Sequence, residues 1–185
     1  NAEVLIIQLN TPGGSVDTML EIIQVMRAST VPVVVYVSPN DAIAGSAGAL
    51  ITIAGHVSAM APKTAIGAAS PIDSSGADIN TTLEKKIKEI LKARVRTLTE
   101  DRGTEAVELA EAMIEDAKAV TAQEALDAGL IDFIADDTED LLQAMNGFTV
   151  QMDSGEVTLN TEDIRTEELN SSFIEQLLAM LTNPN

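Results

Sequence analysis

The chain opens on an apolar run, Val4–Leu9, that stops at a turn signal, the pattern of a strand buried on both faces. After the turn Thr11–Ser15, the residues Val16, Met19, Leu20, Ile23 and Met26 recur at helical spacing and predict a helix over Val16–Ala28. Pro32 introduces a second buried strand, Val33–Val37, and the small-residue stretch SPNDAIAGSAGAL then feeds a helix near Ser46–Ala54. Val57–Ala61 and Thr64–Ala68 read as two short strands around a Pro62–Lys63 turn. This alternation predicts a largely parallel sheet with right-handed crossovers.

The pattern changes at Ser70–Thr82, a polar stretch rich in Gly, Ser and Asp that has no period and reads as a mobile surface loop. Leu83, Ile87, Ile90, Leu91 and Leu98 then form one stripe of a long helix, about Leu83–Asp101, which Arg102–Gly103 ends. Helices follow at Glu105–Asp116 and Thr121–Ala128. The second opens on a capping box of Thr121 and Glu124 and closes on Gly129. Leu130–Ala135 predicts a strand, Thr138–Met145 a short helix, Phe148–Leu159 a hairpin around Asp153–Ser154–Gly155, and Phe173–Leu181 an amphipathic helix. The organisation expected is a main domain over 1–146, then a hairpin and amphipathic helix over 147–185, with no internal repeat.

Composition narrows the classes. A chain of 185 residues that is 45% apolar can bury a core, and with 2% aromatics that core must be Ala, Ile, Leu and Val. Small-residue cores suit close packing of helices on strands. The absence of cysteine excludes disulfides and thiolate metal sites. A net charge of -18, from 29 acids against 11 bases, argues against nucleic acid as a partner, since phosphate binding needs a basic footprint. No signal peptide and no apolar run long enough to span a bilayer is visible, but the chain starts at Asn1 and reads as processed or truncated. Asp136, Asp137, Glu139 and Asp140 lack the spacing of a Ca²⁺ loop and read as an acidic helix start. Met113, Met145 and Met180 read as gap fillers.

Candidate chemistry centres on Ser46, where a strand gives way through Ala42-Ile43-Ala44-Gly45 to an Ala/Gly-rich helix. Small neighbours admit a substrate backbone, and the helix start offers the Ala47 N–H to an oxyanion. The plain alternative is an N-cap, a common role for serine. Pro12-Gly13-Gly14 makes a second glycine-rich turn after a parallel strand, where open α/β sheets bind ligands. A nucleophilic serine needs a base. His56, the single histidine, lies ten residues on, about 15 Å along a helix, and reads as a surface or helix-end residue. Lysine is the known alternative, and Lys63, Lys85, Lys86, Lys88, Lys92 and Lys118 are candidates. Lys85 falls on the solvent face of its helix. Lys86 and Lys88 flank the apolar stripe on opposite sides, each about 100° away, so periodicity leaves both open.

Taken together, TPGG, AGSAGALI, APKTAIGAASPI, a long helix ending in RG, and TAQEALDAGLID resemble the ClpP-class membrane-bound serine proteases of the NfeD type, also called stomatin operon partner proteins. The likeness runs from about Val4 through the tail SSFIEQLLAMLTNPN. It implies an α/β ClpP/crotonase-like fold, a mainly parallel twisted sheet wrapped by helices with a small C-terminal β-hairpin. It also implies a serine endopeptidase with a Ser-Lys dyad and no metal or cofactor. The family serine falls on Ser46, and the oxyanion donors on Gly13, Gly14 and Ala47. Aligning on Arg102-Gly103 puts the lysine on Lys86. Ala69 stands where ClpP itself has its histidine. An extended substrate would pair by strand addition along Ser15, Val16, Ser70, Pro71 and Ile72.

By the same resemblance the substrate is an apolar segment of a stomatin-like membrane protein, and the enzyme a homodimer. It would be membrane-anchored with its protease domain extracytoplasmic, the native chain carrying a leader and another strand before Asn1 and apolar segments after Asn185. Two other classes remain: a crotonase-type acyl-CoA enzyme, whose usual basic phosphate contacts are scarce here, and a non-catalytic scaffold that grips an apolar peptide.

Overall fold

A computed structural model of the chain describes residues 2–71, 81–162 and 164–169. Its first half runs β1 (Leu5–Leu9), α1 (Val16–Arg27), β2 (Val33–Val37), β3 (Ile43–Gly45), α2 (Ala47–Ile53), β4 (Val57–Met60) and β5 (Ala65–Gly67). The second runs α3 (Thr81–Thr99), a 3-10 turn (Glu100–Arg102), α4 (Thr104–Glu115), β6 (Ala119–Thr121), α5 (Ala122–Asp127), β7 (Phe133–Ile134), α6 (Thr138–Met145), β8 (Thr149–Met152) and β9 (Gly155–Thr158).

The main sheet is parallel throughout, in the order β1-β2-β4-β7. Strand β2 explains why its sequence is VVVYV. Val33, Val35 and Val37 point into a core shared with α1, α2, α3 and α4, whereas Val34 and Tyr36 point into a second core on the other face. Every residue of β2 is therefore buried. The second core is closed by α6 and the β8–β9 hairpin through Leu141, Met145, Val150, Met152 and Leu159, with Tyr36 Oη donating to the Ala135 carbonyl at 2.7 Å.

A smaller sheet, β3-β5-β6, holds β3 and β5 parallel and β6 antiparallel. It joins the main sheet through a parallel bridge between Thr11, just past β1, and Ala44. Neither β3 nor β6 follows from the sequence pattern. Each is three residues long, too short to show a period of two, and each exists through its partner β5. Most of the expected 70–82 loop, residues 72–80, and the expected 173–181 helix lie outside the described residues.

The apolar stripe predicted on α3 is buried only in its C-terminal half, at Leu91, with Val95 and Thr99 beside it. Leu83 and Ile90 are 52% and 64% exposed, because no described element covers the first turns of the helix. The far end is fastened by Arg102, whose guanidinium meets both carboxylate oxygens of Asp132 at 2.8 and 3.0 Å while Asp132 accepts the Ser58 N–H at 2.7 Å. The acidic run at 136–140 is a helix start, as read: Asp137 accepts from the Asp140 N–H and caps α6. Among the described residues no helix is long and apolar enough to cross a membrane.

Candidate active site

Ser46 occupies the corner between β3 and α2 with φ 52° and ψ -118°. A residue with a Cβ pays about 1–3 kcal/mol for so rare a backbone, and such strain at a strand-to-helix elbow is how a nucleophilic serine is presented. The elbow is fixed by its backbone. The Ser46 N–H donates to Gly67 O at 2.9 Å, the Gly45 N–H to Thr11 O at 3.0 Å, and the Thr11 N–H to Ile43 O at 2.8 Å. The N-cap alternative does not match the geometry, since the Ser46 side chain makes no capping bond to α2. Its hydroxyl is half-buried and bonded to no described residue.

The Pro12-Gly13-Gly14 turn lies directly against this serine. Gly13 has φ +136°, and a Cβ there would stand 2.8 Å from Ser46 Cβ and 3.3 Å from Oγ, so a larger residue would displace the elbow. The sequence treats Gly13 and Gly14 as equivalent donors; the structure separates them. The Gly13 N–H donates to Thr11 Oγ1 at 3.1 Å. The Gly14 and Ala47 N–H groups donate to no described acceptor. Thr11 and Gly67 were not singled out by sequence reasoning; only the place of Thr11 in TPGG could have pointed to it.

His56 ends the α2–β4 connection as expected, but it is buried, not a surface residue: it is only 7% exposed. Its Nδ1 accepts the Val33 N–H at 3.1 Å, so the proton sits on Nε2, which is buried without a partner. It pairs with the start of β2, whereas the Ser46 elbow is tied to Thr11 past the end of β1, at the opposite end of the parallel strands. Burial, and then the Arg27 charge, lower its pKa from the ordinary histidine value, with Asp153 opposing. The folded protein thus keeps this imidazole neutral where the unfolded chain takes up a proton. Stability should therefore fall as pH drops below about 6.5. Urea denaturation at pH 7.5 and 5.5 should show a steeper loss for wild type than for His56→Gln, and equal losses would contradict the assignment.

The lysines differ in their surroundings. Lys88 Nζ meets Glu84 at 2.9 Å and the Glu115 carbonyl at 3.0 Å. Its hydrogen bond to Glu84, with the charges of Glu84, Glu115 and Asp116, holds its pKa above the usual lysine value despite some burial. Lys92 is held likewise by Glu89 and Glu115. Lys86 is exposed and unpaired among the described residues, between the exposed Leu83 and Ile90. Lys85 is exposed on the same helix, Lys63 on the β4–β5 turn and Lys118 before β6. No hydrogen bond joins any lysine to Ser46 in this structure; catalytic contacts of this kind often close only on substrate.

Of the expected substrate strip, Ser15 caps α1 by accepting from the Thr18 N–H, and Val16 is the first residue of that helix and 36% exposed. Ala68 and Ala69 are tied by their N–H groups to Lys118 O and Met113 O, both at 2.8 Å, and Ser70 Oγ donates to Ile114 O at 2.6 Å. Pro71 follows half-buried, and Ile72 lies outside the described residues. Ala69 is buried, with no side chain to act as a base. A wide cleft of about 850 Å³ between α6 and residues 161–166 contains none of these groups.

Residues 1–158 match the model of the NfeD1b N-terminal domain. The chain is 37% identical over 190 residues to the membrane-bound protease PH1510 of Pyrococcus horikoshii, a match over all of this chain and 42% of that protein. It thus spans less than half the length of that relative. Among solved structures it is similar to a lysine-to-alanine variant of the 1510-N membrane-bound stomatin-specific protease in complex with a substrate peptide. The TM-score is 0.84 at 34% identity, over 98% of this chain and 84% of the other. The ClpP protease catalytic domain of Plasmodium falciparum matches with TM-score 0.56 and 22% identity over 75% and 72%, a likeness of fold alone.

Proposed function

The chain belongs to the NfeD1b N-terminal domain family, and from that membership we propose that it is a serine endopeptidase working through a Ser46–Lys86 dyad. The observation that carries this reading is the strained Ser46 elbow, with its hydroxyl bonded to no described residue and the Gly13 backbone packed against it. In the mechanism, neutral Lys86 takes the Ser46 proton as Oγ adds to the scissile carbonyl. The oxyanion is held by the Gly14 and Ala47 N–H groups, with the Gly13-Gly14 turn supplying the shape. Collapse expels the amine, which leaves with the proton from Lys86. Neutral Lys86 then activates water to release the acyl group from Ser46. No step calls for a metal or cofactor.

The substrate is an extended apolar segment lying between Gly14–Val16 and Ser70–Ile72. The 1510-N relative is described as stomatin-specific, and we place the substrate of this chain in the same class, a stomatin-like membrane protein. A segment laid over Leu83 and Ile90 would also shield the Lys86 amine from water. The protein acts as a homodimer, and the 147–185 region leads toward a membrane anchor with the protease domain extracytoplasmic.

Digestion of a random peptide library, read by mass spectrometry, tests the reading. Cleavage is expected within aliphatic stretches and to be poor beside acids, given the net charge of -18. A dominant requirement for Asp or Glu at the scissile bond would sink it. So would binding of the peptides without any cut, which is the scaffold's result.

A further inference from the structure

We infer that Thr11 is a positioning residue that aims the Gly14 N–H at the oxyanion, a role that rests on the peptidase reading above. Its hydroxyl makes two bonds to one residue, accepting the Gly13 N–H and donating to the Gly13 carbonyl, each at 3.1 Å. The second bond is the informative one. The Gly13 carbonyl and the Gly14 N–H belong to the same planar trans peptide and point in opposite directions. Holding the carbonyl toward Thr11 therefore turns the Gly14 N–H away from it and leaves it with no acceptor among the described residues.

The methyl of Thr11 works on the other partner. A Cβ on Gly48 would lie 2.6 Å from Thr11 Cγ2, so that methyl sits against the bare backbone of the nucleophile helix α2. Through its own backbone Thr11 also binds both sides of β3, accepting from Gly45 and donating to Ile43. One β-branched side chain, with its χ1 restricted, thus sets the glycine turn and the Ser46 elbow at a fixed separation. Glycine rotates readily about its own bonds, and two in succession would not hold a donor in place unaided.

The two branches can be removed separately. Thr11→Val keeps the shape and methyl but loses the hydroxyl; Thr11→Ser keeps the hydroxyl alone. Steady-state cleavage of an apolar peptide should show Thr11→Val lowering kcat by about 10²-fold, as loss of an oxyanion donor does. KM should change by less than about twofold, since the donor acts on the transition state. Thr11→Ser, which keeps the hydroxyl and loses only the methyl against Gly48, should lower kcat by less than about tenfold, well short of the loss in Thr11→Val. A peptide aldehyde, whose serine adduct carries the oxyanion, should bind Thr11→Val more weakly while the corresponding peptide alcohol binds as before.

Wild-type kcat in Thr11→Val, a raised KM with kcat kept, or equal damage in Thr11→Ser would each overturn the role. If Thr11→Val does not fold, Thr11→Ala against Thr11→Ser gives the same comparison of hydroxyl absent and present. Ser46→Ala runs alongside: if it matches wild type, the peptidase reading fails and the role of Thr11 falls with it. An active wild type with an unaffected Thr11→Val fails the inference alone.

Discussion

Ser46→Ala should abolish peptide cleavage, by about 10⁴- to 10⁶-fold in kcat as for other serine nucleophiles, while leaving the melting temperature within a degree or two of wild type. The two halves of this expectation have separate grounds. Activity goes because no other described hydroxyl lies at a strained elbow against a glycine turn. Stability stays because the Ser46 side chain caps nothing and bonds to nothing described, and the elbow is held by main-chain bonds to Gly67 and around Thr11. A serine acting as a helix cap would behave in the opposite way, costing about 1 kcal/mol on replacement and leaving activity intact. Thermal melts and peptide turnover measured on the same preparations distinguish the two.

Lys86→Ala should slow acylation by about 10²- to 10⁴-fold, the range for loss of a general base, whereas Lys88→Ala should stay near wild type. Helical periodicity alone leaves these two lysines equivalent, on opposite flanks of one stripe. Their surroundings do not. A base at neutral pH must give up its proton, which requires a lysine pKa brought down from about 10.4 toward 7–8. Glu84 and Glu115 push Lys88 the other way and engage its amine directly. Removing Lys88 takes away a staple between α3 and α4 worth less than about 1 kcal/mol at the surface. Lys86 has no carboxylate partner among the described residues and has exposed apolar neighbours that a substrate can cover. Stopped-flow measurement of the acylation step in Lys85→Ala, Lys86→Ala and Lys88→Ala settles the matter. Three mild and similar effects would describe a solvated lysine run, and a dead Lys88→Ala beside an active Lys86→Ala would move the base by two residues.

The parts of this fold legible in the sequence are those where local pattern and global packing agree. Val33–Val37 reads as a buried strand because both its faces are covered, and Thr121 with Glu124 reads as a helix start because the capping box is a local device. What escaped depends on partners distant in sequence. β3 and β6 are strands only because β5 lies between them. His56 reads from sequence as a surface or helix-end residue, yet the Val33 N–H draws it inside. Leu83 and Ile90 fit the helical stripe and remain exposed, since periodicity finds a face without saying what covers it. The position of Ser46 was legible from its small neighbours. Its backbone strain was not, and neither was the difference between Gly13, tied to Thr11, and Gly14, left free.

The central claim is that Ser46 is the activated nucleophile. Its most direct test is fluorophosphonate labelling of the protein, followed by intact-mass measurement and peptide mapping. The account predicts a single adduct on the peptide carrying Ser46, strongly slowed in Lys86→Ala and absent in Ser46→Ala. An unlabelled wild type, or an adduct on another serine that persists in Ser46→Ala, would contradict it.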